Sequence, residues 1–499
     1  MAQPDDTAPT ATARQPRRAA IDSDLESVLA AIRSGPQGAE IAAVFDFGGT
    51  IVDGFTHPSL RKRVFRPGAA RTASATLLGG IRNGLTDGQF ERFLQLTTRA
   101  LAGRNEADLD ELGAQLFRRA IYGHLYPEAW QLIRTHEAAG HTVILASSLT
   151  RFQVAPAAAA LGIEHVLCTS MATSEGTLTG YVEGKTLWRN GKADAVRGFA
   201  ATNGIDLGRS YAYTNTVADV PLLSLVGNPI PVNPDRRLGM FAAEQDWPTV
   251  SFRARQAPGL GDYVRTYAGF AALLGGATLG VVAKSYTRQR REMADGLMAY
   301  ATRATLRVIG VRIRLSGAAH ARAPRPAVFL FNHQSQFDVI IVPRVLEGGV
   351  TGIGKKELTR NPIFGPLMRF VGVTFIDRSN TERAKAALAP VVETLRGGLS
   401  IAIAPEGHRS YTPGPLPFKK GAFHIALQAG VPVIPVVIRN AGEIAWRDSM
   451  IARKGTVDVA ILEPIDVSGW SPDDMDDEVE SVRRLYLETL LNWPEPDAS

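Results

Sequence analysis

The stretch VFDFGGTIVDG at residues 44–54 continues an apolar run, IAAVF at 41–45, into a loop of aspartate, glycine and threonine. A short apolar run bounded by turn residues predicts a buried strand. Further strand-like runs, such as HTVILASS at 141–148, alternate with helical segments downstream. This alternation predicts a parallel α/β sheet, and the helical residues from about 56 to 135 are expected to form an inserted lobe.

The composition of the chain indicates a globular protein with two or three domains. Of its 499 residues, 45% are hydrophobic and 21% are charged, which excludes a mainly disordered chain. The net charge of +6 and the pI of about 9.4 favour anionic phosphate substrates or lipid headgroups, and they do not argue for nucleic acid. Cys168 is the one cysteine, so no internal disulfide can form and a reducing cytoplasm fits best.

Four regions are predicted along the chain. Residues 1–38 are expected to form a disordered polar tail, up to about residue 20, and a short helix that ends at Gly35. Residues 39–255 form the first α/β domain, which includes the inserted helices. Residues 256–310 form membrane-associating helices, and residues 311–499 form a second α/β domain.

The third region contains 18 uncharged residues, TYAGFAALLGGATLGVVA, between Arg265 and Lys284. A helix of this length is roughly 27 Å long at about 1.5 Å per residue, which is marginal for crossing a bilayer. A crossing would also place the two flanking domains on opposite sides of the membrane, although both contain cytoplasmic chemistry. We therefore predict an interfacial or membrane-dipping anchor, and the alternative is a buried glycine-rich core helix.

The second α/β domain contains the stretch FLFNHQSQFD at 329–338. His333 comes directly after an apolar strand, so it is expected at the edge of the sheet. Asp338 follows closely enough to fold back onto one imidazole nitrogen, which would fix the tautomer and support the imidazolium. No serine in a GxSxG context accompanies the pair, so direct attack by a substrate hydroxyl on an acyl donor is more natural than an acyl-enzyme.

Basic residues follow several of the predicted strands in this domain. They occur in GIGKKEL at 352–358, GVTFIDRS at 372–379, IAPEGHRS at 403–410 and PFKKGAF at 417–423. Cations at strand ends form a rim that binds phosphate, because arginine offers a bidentate fork and lysine a point charge. The residues concerned are Lys355, Lys356, Arg378, Arg409, Lys419 and Lys420.

The order of these segments resembles the glycerolipid acyltransferase family, specifically bacterial 1-acylglycerol-3-phosphate (lysophosphatidate) acyltransferases, over roughly residues 258–495. NHQSQFD is similar to the family's NHxxxxD block, VTFIDR to its second block, PEGHRS to PEGTRS, and VPVIPV to its fourth block. The resemblance implies that His333 is the general base on the sn-2 hydroxyl of lysophosphatidate, oriented by Asp338, and that the hydroxyl attacks the thioester of acyl-CoA to form phosphatidate.

The same resemblance implies an acceptor site made by Glu406, Gly407 and Arg409, with Arg409 on the phosphate. Lys356 and Arg378 are expected as further phosphate contacts, and His408 replaces the usual threonine. The implied partners are acyl-CoA or acyl carrier protein, lysophosphatidate and the bilayer. Acyl transfer in this family needs no cofactor, and the expected location is the cytoplasmic face of the cell membrane, as a monotopic or peripheral protein.

The first domain resembles the haloacid dehalogenase superfamily, in the branch that includes phosphoserine phosphatase, over about residues 39–240. By that likeness Asp46 is the candidate nucleophile, Ser147 binds phosphate and Lys192 balances charge. In YTNTVADVP at 213–221, Asp219 matches an acidic residue of the metal loop. Asp46 and Asp219 are therefore the candidate Mg²⁺ ligands of this domain.

Two departures weaken a phosphatase assignment. Gly48 stands where the family has its acid/base aspartate, and Asn215 stands where it has the first acidic metal ligand. Losing acid/base help typically lowers the rate about 10²–10⁴-fold, and a neutral amide is a poorer Mg²⁺ ligand than a carboxylate. We expect a degenerate, non-catalytic or phosphate-binding domain. The alternatives are a phosphomonoester phosphatase or bifunctional phosphatase/acyltransferase, a phosphotransferase, and a phosphometabolite-sensing module that regulates an acyltransferase with another acceptor.

Overall fold

The computed structural model describes residues 21–497 apart from 23, 54–86, 254–257, 323, 356–358, 361–363, 377–388 and 448. Within it the chain forms two compact units, Met1–Ala254 and Arg255–Ser499. The predicted tail up to about residue 20 and the first part of the predicted helical insertion lie outside the described residues.

The N-terminal unit alternates helices and strands. Its helices are α1 (Leu25–Ser34), α2 (Asp87–Ala100), α3 (Glu106–Leu116), α4 (Pro127–Ala138), α5 (Arg151–Leu161), α6 (Asn190–Asn203), α7 (Val220–Leu223) and α8 (Arg236–Glu244). Its strands are β1 (Ile21–Asp22), β2 (Ala42–Phe45), β3 (Thr142–Thr150), β4 (His165–Ser174), β5 (Thr177–Glu183), β6 (Tyr211–Thr214), β7 (Asn228–Pro231) and β8 (Pro248–Thr249).

Six of these strands form one sheet in the order β5-β4-β3-β2-β6-β7. Strand β2 is parallel to β3 and to β6, with Phe45 opposite Leu145 and Tyr213. The carboxyl ends of these three parallel strands therefore meet at one edge, where Asp46 leaves β2. Strand β5 runs antiparallel to β4, so the sheet is mixed rather than wholly parallel as predicted. The chain returns directly after β4 through the turn at Glu175 and Gly176, both at positive φ, so no crossover helix intervenes.

The C-terminal unit begins with two long helices and continues as a second α/β fold. Its helices are α9 (Leu260–Lys284), α10 (Arg290–Ile309), α11 (Asp338–Leu346), α12 (Phe364–Val371), α13 (Ala389–Arg396), α14 (Gly421–Ala429), α15 (Ala441–Ile444) and α16 (Met475–Leu491). Its strands are β9 (Val311–Ser316), β10 (Val328–Phe331), β11 (Val350–Lys355), β12 (Thr374–Ile376), β13 (Ser400–Ile403), β14 (Val433–Ile438) and β15 (Gly455–Ile461).

Glycines on α9 hold it closely against α10. A Cβ atom at Gly280 would lie 2.2 Å from the carbonyl oxygen of Gly296, and one at Gly276 would lie 2.7 Å from that of Tyr300. Only hydrogen fits at such a backbone approach, so these glycines permit the pairing of the two helices. We call this contact line the glycine seam. The opposite face of α9 carries exposed apolar side chains at helical spacing: Leu260, Val264, Tyr267, Leu274 and Val282.

The seven-stranded sheet of this unit has the order β12-β11-β13-β10-β14-β15-β9. Strand β10 is central and parallel to both neighbours, with Leu330 opposite Ile403 and Phe331 opposite Val436. The loops that follow β10, β13 and β14 consequently leave the same edge of the sheet. The α/β fold predicted for both halves is confirmed.

Candidate acyltransferase site

His333 and Asp338 form a hydrogen-bonded pair at the end of β10. The His333 Nδ1 atom lies 2.7 Å from Asp338 Oδ2. The Asp338 side chain is completely buried, whereas the His333 side chain is 23% exposed. Among the described residues, no hydrogen bond is made to His333 Nε2. The imidazole therefore has one nitrogen fixed by a carboxylate and the other available to a substrate.

Backbone N–H groups determine where the Asp338 carboxylate lies. Its Oδ2 atom accepts hydrogen bonds from the N–H groups of Gln334, at 2.8 Å, and Ser335, at 2.9 Å. An oxygen that already accepts two N–H groups is an acceptor for His333 Nδ1–H as well. In the neutral imidazole this arrangement places the proton on Nδ1 and leaves Nε2 with a free lone pair that can accept a proton.

We call residues 332–338 the catalytic loop, after the role predicted for His333, and this loop is attached to the end of β14. The Asn332 amide donates to the carbonyl of Ile438 at 2.8 Å and accepts from its N–H at 2.7 Å. The Ser335 hydroxyl donates to the carbonyl of Ala445 at 2.9 Å. Asn332 satisfies backbone groups where the sheet ladder ends, and Ser335 satisfies the carbonyl of the residue that follows α15. Together these contacts fix the loop that carries His333.

Glu406 connects the catalytic loop to the loop after β13. Its Oε1 accepts from the His333 N–H at 2.6 Å, and its Oε2 accepts from the Leu416 N–H at 2.8 Å. Burial raises the pKa of Glu406 to about 8, in spite of these two bonds and with a further contribution from the Asp338 charge. With both oxygens facing backbone amides, Glu406 has the contacts of a residue that positions His333.

The other predicted acceptor residues lie in the same loop or outside the described residues. Gly407 has φ +79°, where any other residue would be strained. Arg409 donates from its guanidinium to the carbonyl of Arg447. Lys356 and Arg378 lie outside the described residues.

In the N-terminal unit, three of the predicted phosphatase-like residues meet in a buried cluster. The Lys192 ammonium lies 2.7 Å from Asp46 Oδ1 and 2.8 Å from Asp219 Oδ2. Burial alone would lower the pKa of Lys192, but the charges of Asp219 and Asp46 outweigh it and raise that pKa. Burial raises the pKa of Asp46 to about 6 against the opposing effect of Lys192. The fourth predicted residue, Ser147, is buried in the C-terminal half of β3.

These residues do not fit a Mg²⁺ site. The single Lys192 ammonium contacts both carboxylates that would hold the ion and balances one of their two charges, and Asn215 stands as a neutral amide where a third acidic ligand is expected. The Asn215 side chain packs against Gly49, where a Cβ atom would lie 2.0 Å from its Nδ2. No group of three or more acidic, histidine or cysteine side chains that could hold a metal occurs in the described part of the chain.

Sequence reasoning missed several residues that shape the acyltransferase site. Asn332, Gln334 and Ser335 stand inside the quoted motif but were given no role. Their side chains bond backbone groups of Ile438, Pro413 and Ala445, and these contacts hold the loop in place. Arg447 belongs to none of the motifs, although its carbonyl receives Arg409 and its guanidinium stacks on Tyr411. The one available signal was its place shortly after the strand VPVIPVVI.

Two family models match the chain: a haloacid dehalogenase-like hydrolase model over residues 43–224 and an acyltransferase model over residues 312–439. The 1-acyl-sn-glycerol-3-phosphate acyltransferase of Salmonella typhimurium is 34% identical over 184 residues, which cover 37% of this chain and 74% of that protein. The chain belongs to the 1-acyl-sn-glycerol-3-phosphate acyltransferase family. The haloacid dehalogenase-like and the acyltransferase resemblances stated from the sequence are thereby confirmed.

Two further acyltransferases match the chain. The human 1-acyl-sn-glycerol-3-phosphate acyltransferase alpha is 34% identical over 179 residues, and this chain spans 63% of its length. A solved structure, the 1-acyl-sn-glycerophosphate acyltransferase from Thermotoga maritima, has 23% identity and a TM-score of 0.41, and the match covers 47% of this chain and 99% of that one.

Proposed function

We propose that the C-terminal unit transfers a fatty acyl group from a thioester donor, acyl-CoA or acyl carrier protein, to the sn-2 hydroxyl of 1-acylglycerol-3-phosphate and so makes phosphatidate. The observation that carries the proposal is the His333–Asp338 pair, with Nδ1 held by a buried carboxylate and Nε2 open to a substrate hydroxyl. The names of the relatives support the choice of acceptor.

In this reaction His333 Nε2 takes the proton of the sn-2 hydroxyl while the oxygen attacks the thioester carbonyl carbon. The carbon–sulfur bond of the tetrahedral intermediate then breaks, and the departing sulfur receives the proton from the imidazolium. The ester and the free thiol are the products. The negative charge of Asp338 stabilises the imidazolium between the two steps, as a buried partner of a general base does.

We also propose that helix α9 holds the protein on the cytoplasmic face of the membrane. Among the described residues, one helix, Leu260–Thr287, is long and apolar enough to cross a bilayer by length and composition. Its partner in the glycine seam, α10, carries an Arg291–Asp295 ion pair at 2.6 Å, and charged groups are costly inside a bilayer. An orientation along the interface buries the exposed apolar face of α9 in lipid and leaves α10 on the aqueous side.

For the N-terminal unit we propose that no Mg²⁺-dependent phosphatase cycle operates. The support is Gly48 at the acid/base position and Asn215 at the position of an acidic metal ligand. A slow phosphatase is the alternative outcome of the test below.

The test measures the release of free thiol and of inorganic phosphate side by side on one preparation of the full chain. The substrates are lysophosphatidate vesicles with acyl-CoA, and a panel of phosphomonoesters with Mg²⁺. We expect thiol release that is lost in His333→Ala, and no phosphate release that depends on Asp46. Retention of most thiol release in His333→Ala would contradict the mechanism, and phosphate release abolished by Asp46→Asn would contradict the proposal for the N-terminal unit.

A further inference from the structure

Arg447 lies in a segment that is attached to both loops of the acyltransferase site. Two residues before it, the Ala445 carbonyl accepts the hydrogen bond from Ser335 of the catalytic loop at 2.9 Å. The carbonyl of Arg447 itself accepts from the Arg409 guanidinium. The segment is therefore held in a defined place beside the residues that the reaction uses.

The guanidinium of Arg447 stacks on the ring of Tyr411. Its Cζ atom is 3.7 Å from the ring centroid, which is a close cation–π contact. Stacking occupies the flat face of the guanidinium and leaves its in-plane N–H donors directed away from the ring. The stack thus holds the side chain in place without using its hydrogen-bond donors.

Two nitrogen atoms of the Arg447 guanidinium are unpaired. Its Nε and Nη1 atoms are buried and make no hydrogen bond. No carboxylate of the described residues forms an ion pair with this side chain, in contrast to Arg314, which has Asp458 at 2.6 Å in the same unit. The side chain as a whole is half-buried, and no described carboxylate balances its charge, so an anionic ligand that reaches the guanidinium would supply a counter-charge.

The stack also adjoins His333. Ser410, which lies between Arg409 and Tyr411 in the chain, donates its N–H to the carbonyl of His333 at 2.7 Å. The ring under the Arg447 guanidinium is thus one residue away from a direct backbone contact with the base. This backbone link is the reason to look for the anion among the substrates of the reaction proposed at His333.

We propose that Arg447 is a specificity-determining residue that binds a phosphate group of a substrate together with Arg409. The proposal rests on the acyl transfer proposed above. Two phosphates fit this chemistry: the monoester of the glycerophosphate acceptor and the phosphates of a CoA thioester donor. The experiment separates the two sources.

The variants are Arg447→Gln, which removes the charge, and Arg447→Lys, which keeps the charge and loses the flat stacking plane. The matched control is Arg322→Gln, because Arg322 has a carboxylate partner, Glu347 at 3.0 Å, and its side chain is 72% exposed. KM and kcat are measured for each substrate at saturation of the other, with full-length protein on vesicles. Loss of a charge-assisted bond predicts a rise in one KM of about 10–100-fold in Arg447→Gln, with a smaller rise in Arg447→Lys.

A raised KM for lysophosphatidate assigns the phosphate to the acceptor, and a raised KM for acyl-CoA assigns it to the donor. Unchanged KM values, or a fall in kcat alone, would overturn the proposal. Binding is also measured directly, as the rise in melting temperature that sn-glycerol 3-phosphate or CoA causes in the wild type and in Arg447→Lys. If the wild type transfers no acyl group, the proposed function fails, and the melting temperatures still decide the role of Arg447. An equal rise in melting temperature in the wild type and in Arg447→Lys, or no rise in either, rejects binding of a phosphate group by Arg447.

Discussion

Replacing Asp338 by asparagine removes the charge next to His333 and leaves the size of the side chain nearly unchanged. In the wild type, Asp338 Oδ2 accepts three hydrogen bonds, whereas its buried Oδ1 has no partner. The amide oxygen of asparagine is therefore expected at the Oδ2 position, where it still accepts from the two backbone N–H groups. The His333 tautomer is kept, and the lost quantity is the charge that stabilises the imidazolium.

The size of that loss follows from the geometry. Two unit charges about 4 Å apart interact by about 4 kcal/mol at an effective dielectric constant of about 20. The hydrogen-bonded atoms are 2.7 Å apart, so the charge centres of the carboxylate and the imidazolium are separated by about this distance. An interaction of about 4 kcal/mol that is present only after proton transfer corresponds to about a thousandfold in kcat. KM for the acceptor is expected to change little.

The assay is free-thiol release from acyl-CoA with lysophosphatidate in vesicles, combined with thermal unfolding of each protein. Asp458→Asn is the matched control, since Asp458 is also a buried carboxylate of this unit but pairs with Arg314. We expect the control to lose stability and keep kcat, and Asp338→Asn to do the opposite. A loss of kcat below tenfold in folded Asp338→Asn would refute the role of the charge.

Three further predictions concern stability. In Glu406→Gln an amide N–H₂ must face a backbone N–H group. We therefore expect a loss of about 1–3 kcal/mol in unfolding free energy, measured by denaturant unfolding, and a lower kcat, measured by thiol release. Gly280→Ala forces α9 and α10 apart and should lower the free energy of unfolding by about 1–3 kcal/mol. The control Gly275→Ala has open space around its Cβ atom and should leave stability unchanged. Equal melting temperatures of the two variants would contradict the glycine seam. Burial, with the nearby His141, lowers the pKa of His136. The unfolded state therefore binds more protons below about pH 6.5, and the free energy of unfolding falls by about 1.4 kcal/mol for each pH unit below that value. A double variant, His136→Phe with Tyr213→Phe, should show a flatter dependence of melting temperature on pH.

The His333–Asp338 pair could be predicted from sequence because its geometry is local. Both residues belong to one short loop, and the strand before it is recognisable from its apolar run. The positions of the strands β10, β13 and β14 could be predicted for the same reason. The antiparallel strand β5 could not, since its partner is chosen by a turn at Glu175 and Gly176 that gives no strong composition signal.

Long-range contacts within the site could not be predicted from sequence patterns. Glu406 accepts a hydrogen bond from the His333 N–H only because β13 and β10 are neighbours in the sheet, and the sequence of neither segment predicts this strand order. The prediction that Lys192 balances charge came from the family resemblance. Its simultaneous contact with Asp46 and Asp219 depends on how α6 lies against the sheet edge.

The glycine seam separates the two tasks of helix α9. One side of the helix meets α10 through backbone atoms, so its packing depends on the absence of side chains at Gly276 and Gly280. The other side carries the exposed apolar residues, which contribute little to the folded core. The outer side chains are therefore free to change in size and hydrophobicity without repacking the interior. If α9 binds lipid as proposed, substitutions on this face alter the affinity for a lipid surface and leave the geometry around His333 intact.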